Sequence, residues 1–309
     1  NGNIYLLNFE TLDTCLADTI TNYMMFMDCI NFSNVYLPTI KNITRYGHFV
    51  YCGKLKRLEF PKVERASIES SGNGLIYSNN SLEEISFPKL KTVTGTIPIV
   101  NSCNNLKKLY MPELETHEGV IVNSCICLKE IYIPKLKSSL GVGENCFSLE
   151  VIEAPLLESA VVGYRCYALK EVYLPNLKTL GSNSFDNTYC LSKVELPSLT
   201  NIKGSIFKTS AIEEFTFPET LTIFSGVSNS FSYCPNLRKL NLFEGWKFSG
   251  LNLTNCRSLE KESIVDMLNK LADVTAETDT YTLALGATNL AKITAEEVAI
   301  GTNKGWTIS

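Results

Sequence analysis

The sequence lacks the features typical of a membrane-spanning or a nucleic-acid-binding protein. No apolar run approaches the roughly 18 residues that a helix needs to cross a bilayer. No block of five or six like charges occurs either, and 28 basic and 32 acidic residues leave a net charge of −4. Because nucleic acids are bound by concentrated positive charge, we expect no nucleic-acid partner and no transmembrane segment in this chain.

Histidine is scarce, with only two residues, His48 and His117. The sequence contains no Gly-x-Ser-x-Gly, no glycine-rich phosphate loop with a lysine and no His-Glu-x-x-His. Cysteine is plentiful, with 11 residues, but no Cys-x-x-Cys pair occurs, and Cys125 and Cys127 are one residue too close. We therefore expect no enzymatic activity, no metal site and no cofactor.

An internal repeat is marked by proline. Leu128, Ile131, Ile133 and Pro134 form the pattern apolar-x-x-apolar-x-apolar-Pro, and ten copies of it occur. The proline position of successive copies is occupied by Pro38, Pro61, Pro88, Pro112, Pro134, Pro155, Pro175, Pro197, Pro218 and Phe243.

The spacing within one copy predicts a short strand entered from a turn. Apolar residues alternate with outward-facing ones, and the proline follows the strand, where a missing N–H does not disturb pairing. One copy alone cannot bury its apolar residues, so the copies are expected to stack about 4.8 Å apart as parallel strands around a shared core. A second inward column is predicted five residues after the proline: Ile43, Ala66, Val93, His117, Ser139, Ala160, Leu180, Ile202 and Ile223.

Eight cysteines occupy one equivalent position, three residues before the first apolar residue of a copy. They are Cys29, Cys52, Cys103, Cys125, Cys146, Cys166, Cys234 and Cys256, with Asn79, Thr188 and Thr209 in the copies that lack cysteine. This periodicity predicts a buried column of free thiols, since free cysteine packs as a small hydrophobic residue. Disulfides among Cys15, Cys127 and Cys190 are the alternative use of the remaining cysteines.

The chain divides into three predicted parts: an N-terminal cap at 1–28, a solenoid at 29–258 and a C-terminal α/β cap module at 259–309. The spacing of Leu12, Leu16, Ile20, Met24 and Met27 is compatible with a helical N-terminal cap.

The C-terminal module should contain two helices and a strand. The helical spacing of Ile264, Met267, Leu268 and Leu271 predicts the first helix, 281–285 alternates like a strand, and Thr294 with Glu297 predicts a capping box that opens the second helix.

Two outward columns of the predicted strands carry the candidate recognition residues. One column alternates in charge along Arg57, Glu84, Lys108, Glu130, Val151, Glu171, Lys193, Glu214 and Lys239, which favours a self-neutralised ladder. The next column contains Tyr36, Tyr110, Tyr132 and Tyr173, the candidate ligand-binding residues. Tyrosines in a row provide rigid amphipathic contact area, although aromatic residues also favour strands for structural reasons alone.

The repeat resembles the BspA-like (Treponema-type) leucine-rich repeats of bacterial surface proteins. The segment from Leu128 to Leu149, which includes Pro134 and Cys146, matches that pattern closely, and the resemblance covers roughly 29–258. It implies an α/β repeat fold, namely a right-handed leucine-rich-repeat solenoid with a parallel β-sheet and a small α/β C-terminal cap.

The resemblance also implies a secreted or cell-surface protein that adheres to or recognises a host or bacterial surface protein or glycan. The chain begins at Asn1 without Met, so we expect that a signal peptide has been removed. A structural or receptor-binding component of a prophage particle is the alternative, since the segment 299–306 resembles tails found in prophage-linked proteins.

Overall fold

The computed structural model describes residues 11–12, 19–20, 26–44, 48–68 and 73–309. The chain forms two compact units, Asn1–Leu169 and Lys170–Ser309. Both consist mainly of short parallel strands, because each repeat supplies one strand at the same point of its turn.

Nineteen short strands are described in the first unit. They are β1 (Thr11–Leu12), β2 (Thr19–Ile20), β3 (Phe26–Met27), β4 (Asn34–Tyr36), β5 (Asn42–Thr44), β6 (Phe49–Val50), β7 (Arg57–Glu59), β8 (Arg65–Ser67), β9 (Ile76–Tyr77), β10 (Glu84–Ser86), β11 (Thr92–Thr94), β12 (Val100–Asn101), β13 (Lys108–Tyr110), β14 (Thr116–His117), β15 (Val122–Asn123), β16 (Glu130–Tyr132), β17 (Ser138–Val142), β18 (Val151–Glu153) and β19 (Ser159–Val162).

These strands build three parallel sheets. Successive strands of one sheet come from successive rungs, where a rung is one turn of the solenoid. The first sheet runs β1-β4-β7-β10-β13-β16-β18, the second β2-β5-β8-β11-β14-β17-β19, and the third β3-β6-β9-β12-β15. In the first sheet Ile131 is the register partner of Leu109 on one side and of Ile152 on the other. Equivalent apolar residues therefore stack into one buried core, as the repeat predicts.

The second unit continues the same repeats and ends in the helical module. Its elements are β20 (Glu171–Tyr173), β21 (Thr179–Leu180), β22 (Asn201–Ile202), β23 (Glu214–Thr216), β24 (Ile223–Phe224), a 3-10 turn (Val227–Asn229), β25 (Lys239–Asn241), β26 (Leu251–Asn252), α1 (Lys261–Lys270), β27 (Tyr281–Ala284), α2 (Gly286–Leu290), α3 (Ala295–Thr302) and β28 (Trp306–Ile308). Strand β21 pairs with β22 and β22 with β24, β23 pairs with β25, and β26-β27-β28 form a parallel three-stranded sheet.

The strands of the third sheet give way to a tight turn after Val122–Asn123. Gly143 and Gly163 take the equivalent place in the next two rungs, with φ of 68° and 66°. In the second unit Phe185, Phe207 and Phe231 adopt the same left-handed conformation and are fully buried. Phe207 stacks on Phe185 at 5.2 Å and on Phe231 at 5.3 Å, and this aromatic packing offsets the conformational cost.

A left-handed residue precedes every position of the cysteine column except Cys256. These residues have φ between 53° and 63° and are Asp28, Tyr51, Ser78, Ser102, Ser124, Asn145, Arg165, Asn187, Thr209 and Tyr233. Eight of their N–H groups bond to the next rung, as when Ser102 donates to the carbonyl of Asn123 at 3.0 Å. None of them is glycine, so each costs about 1–2 kcal/mol of backbone strain that stacking must offset.

Two predicted inward positions are wrong by one residue. Ile223 is 51% exposed, and Phe224 is the register partner of Ile202 instead. In the cysteine column Ser210 is buried and lies 3.5 Å from Cys234 Sγ, whereas Thr209 is the left-handed residue before it. Both rungs have a local spacing different from their neighbours, and stacking selects the side chain that aligns with the adjacent rung.

The prediction of a helical N-terminal cap is wrong for the described residues. Leu12, Ile20 and Met27 lie on β1, β2 and β3, which pair with β4, β5 and β6 of the following rung. Leu16 and Met24 lie outside the described residues. The apolar spacing there fits a helix, but an open sheet edge next door supplies hydrogen bonds that favour strands.

The C-terminal module contains the predicted helix, strand and capping box. Ile264, Met267 and Leu268 are buried on α1. Thr294 accepts a hydrogen bond from the N–H of Glu297, whose carboxylate accepts from the N–H of Thr294. The boundaries of the three predicted parts stay predictions.

Candidate recognition surface

The outward face of the first sheet carries the predicted charge ladder in the first unit. Glu84 lies between Arg57 and Lys108 in the strand register, and Lys108 is next to Glu130. Arg57 and Glu84 form an ion pair of 2.9 Å, and Lys108 and Glu130 one of 3.5 Å. All four side chains are at least half exposed, so each pair contributes only a few tenths of a kcal/mol and mainly supports the register.

A further alternating column, three residues after the proline, was not predicted. It reads Lys41, Glu64, Lys91, Glu115, Lys137 and Glu158, and each residue from Glu64 onward donates its backbone N–H to the carbonyl of the one before. Lys137 lies 3.0 Å from Glu115 and lowers the pKa of that carboxyl. The alternation is visible in the sequence once the copies are aligned on proline. Its three lysines and three glutamates cancel, so this column carries no net charge.

The tyrosine column is only partly brought together. The rings of Tyr110 and Tyr132 stack with centroids 5.3 Å apart and an interplanar angle of 4°, and each residue is 44% exposed. Tyr36 is also exposed, but its register partner is Glu59. The strand of Tyr36 lies three strands away from that of Tyr110 in the sheet order. Tyr173 is exposed on β20 in the second unit. Within the first unit, Tyr110 and Tyr132 therefore form a continuous aromatic surface between the polar residues Ser86 and Glu153.

Two partly exposed aromatic pairs were not predicted: Tyr51 with Tyr77, whose ring centroids lie 5.7 Å apart, and Phe147 with Tyr167. Phe147 and Tyr167 directly follow the column cysteines Cys146 and Cys166, and their rings stack at 4.5 Å. Phe147 and Tyr167 belong to turns, which the alternating pattern of the strands does not include.

The histidines are buried structural residues. His117 is 2% exposed, as predicted, and its two ring nitrogens lie 3.1 Å from the carbonyls of Val93 and Ile97. His48 is also buried, and its Nε2–H donates to the Thr44 carbonyl at 2.7 Å. Burial lowers the pKa of His117 and lowers that of His48 to about 4.

The predicted thiol column is confirmed. All eight column cysteines are free and buried, whereas Cys127 and Cys190 are free and more accessible, and Cys15 lies outside the described residues. Burial raises the pKa of Cys146 to about 12, which leaves it protonated and unreactive at neutral pH. Within the described ranges, no cluster of three histidine, cysteine, aspartate or glutamate side chains has the geometry of a metal site.

Comparison with known proteins identifies the repeat. The BspA type leucine-rich repeat region, six copies of which are matched, aligns with residues 18–152 and 162–275. The chain belongs to this family. No curated protein matches the sequence.

A solved leucine-rich-repeat structure shares the fold at low sequence identity. A leucine-rich repeat protein from Bacteroides ovatus is 18% identical with a TM-score of 0.55, over 81% of this chain and 73% of that one. A leucine rich cell surface protein from Faecalibacterium prausnitzii is 16% identical with a TM-score of 0.32, over 74% of this chain and 78% of that one. In the described part of the chain, no helix has the length and apolar character of a membrane span.

Proposed function

We propose that this BspA-type protein is a non-enzymatic recognition module of the bacterial cell surface, which adheres to host or bacterial surface proteins or glycans. The observation that carries the proposal is the exposed stack of Tyr110 and Tyr132 on the first sheet. Stacked aromatic rings offer a large contact area at little cost in side-chain entropy, which is the property of interface hot spots.

The surroundings of the stack support this use. Strands β13 and β16 are hydrogen-bonded to neighbours on both sides, so the two rings stand on a rigid surface. The adjacent ladder, with Lys108 paired to Glu130, presents both signs of charge and gives no reason for a nucleic-acid or anionic membrane partner. A surface location is supported by family membership and by the resemblance of the repeats to surface proteins. Tyr36 and Tyr173 remain predicted contacts.

The test is binding of the purified chain to a glycan array and to an array of purified surface and matrix proteins. Any ligand found is titrated against the double variant Tyr110→Ser/Tyr132→Ser. Loss of two hot-spot rings should weaken binding at least about tenfold, because one such side chain contributes 1–2 kcal/mol or more.

Tyr51→Ser is the matched control. Tyr51 has the same 44% exposure, and serine already occupies the equivalent turn position at Ser78, Ser102 and Ser124, so this variant should fold and bind like the parent. Unchanged circular dichroism verifies folding of all variants. A chain that binds nothing on either array, or a double variant that binds as tightly as the parent, contradicts the proposal.

A further inference from the structure

A second candidate site lies in the turns of the second unit. A cavity of about 580 Å³ is formed where successive rungs turn around Ser210, Cys234 and Cys256. Its wall includes Tyr189, Tyr233, Pro235, Asn236, Asn255 and Arg257.

Four polar side chains on the wall of this cavity have no intramolecular partner among the described residues. In the described structure the side chains of Tyr233, Asn236, Asn255 and Arg257 make no hydrogen bond or ion pair, and no carboxylate lines the cavity. Arg238 of the same unit, by contrast, is ion-paired with Glu213 at 3.0 Å and Glu260 at 3.3 Å. Arg257 therefore leaves an uncompensated positive charge beside neutral donors, which suits a ligand with one carboxylate.

The backbone beneath these groups is fixed by two residues of the C-terminal module. The buried Asn289 Nδ2 donates to the carbonyls of Leu253 and Cys256, both at 3.2 Å. Lys292 Nζ donates to the carbonyl of Arg257 at 2.8 Å. The turn that carries Asn255 and Arg257 is thus preorganised, and its ordering is not a cost of binding.

Tyr233 is the aromatic element of the cavity. It has φ of 63°, a conformation that asparagine or glycine adopts more readily, and it is 60% exposed. The equivalent positions of two other rungs in this unit hold Asn187 and Thr209, so stacking does not require a large ring here. The left-handed backbone is common to the positions before the column cysteines, Tyr51 among them, so the feature particular to Tyr233 is its exposed ring on the wall of the cavity.

We propose that this cavity binds an acidic sugar residue, a uronic or sialic acid, within a glycan. The Arg257 guanidinium would pair with the sugar carboxylate, the Tyr233 ring would cover the C–H face of the sugar, and Asn236 and Asn255 would bond to its hydroxyls. This site is independent of the Tyr110–Tyr132 stack, because it uses other residues in the other unit.

The test is isothermal titration of the full chain with oligogalacturonate and with sialyllactose. The methyl esters of oligogalacturonate and of sialyllactose are the neutral counterparts, because they keep every sugar residue and lose only the charge. We expect at least one acidic sugar to bind and its neutral counterpart to bind about tenfold more weakly or not at all. Arg257→Gln should remove this preference for the acid, and Tyr233→Ser should weaken binding of the same sugar.

Two matched variants separate the site from general effects. Arg238→Gln removes the same charge from the same unit but from an ion-paired position, so it should leave binding unchanged. Tyr110→Ser/Tyr132→Ser should also leave it unchanged, so failure of this site and failure of the proposed recognition face are distinguishable. Any of three results would overturn the proposal. They are no binding of either acidic sugar at millimolar concentration, equal binding of acid and ester, and an Arg257→Gln variant that keeps the preference for the acid.

Discussion

Replacement of Ile131 by alanine tests whether the rungs share one core. Ile131 is 4% exposed on β16, and its register partners are Leu109 and Ile152. The substitution removes three carbon atoms from a position that is enclosed on both sides by equivalent side chains.

The expected loss has two parts. Three methyl or methylene groups contribute about 2.4 kcal/mol of transfer free energy at roughly 0.8 kcal/mol each. A cavity term adds to it, because β16 is paired with both β13 and β18 and cannot move toward one neighbour without breaking bonds to the other. The free energy of unfolding should therefore fall by about 2–5 kcal/mol.

Urea unfolding followed by far-UV circular dichroism measures this change, with hydrogen exchange of the β13, β16 and β18 amides to localise it. Trp246 and Trp306 are both in the second unit, so their fluorescence reports separately on that unit. Glu130→Ala, on the exposed side of the same strand, is the control and should change the free energy by a few tenths of a kcal/mol. A loss below about 1 kcal/mol for Ile131→Ala would refute a shared core at this rung.

Two further predictions concern the buried thiols and histidines. In unfolded, unreduced protein all eight column cysteines should react with a thiol reagent, and fewer than eight reactive column thiols would show a disulfide. In the native protein Cys190 should react first, because it is exposed and the column is buried. The pKa of His48 is about 4 in the folded chain and near its usual value of 6.5 in the unfolded chain, so protonation favours unfolding. The contribution of His48 to the free energy of unfolding should therefore be fully present above pH 6.5 and should be lost as the pH drops toward 4, by up to about 1.4 kcal/mol per pH unit. His48→Gln, which retains a donor for the Thr44 carbonyl, should make urea midpoints less dependent on pH in this range; His117 adds a slope of the same sign, so a slope as steep as the parent's would contradict the assignment.

Features that repeat in every copy could be predicted from the sequence. The alternation around Ile131 and the recurrence of proline and cysteine predict parallel stacking, the buried thiol column and the neighbouring positions of Tyr110 and Tyr132. Features of a single rung were harder to predict. Ile223 and Phe224 are adjacent apolar residues, and only contact with Ile202 decides which one is buried. Leu12 and Ile20 satisfy a helical spacing, yet pairing with the next rung makes them strand residues.

The sequence by itself determined the repeating unit of this protein, because the apolar residues of one copy are buried only when equivalent residues of successive copies stack on each other. The tertiary structure alone decided where side chains are strained, unpaired or enclosed. Tyr233 precedes a column cysteine as Ser102 does, and nothing in its neighbours along the chain places its ring in one cavity with Arg257. That arrangement depends on residues that come from different rungs and on the clamp by Asn289 and Lys292, which lie more than 30 positions away.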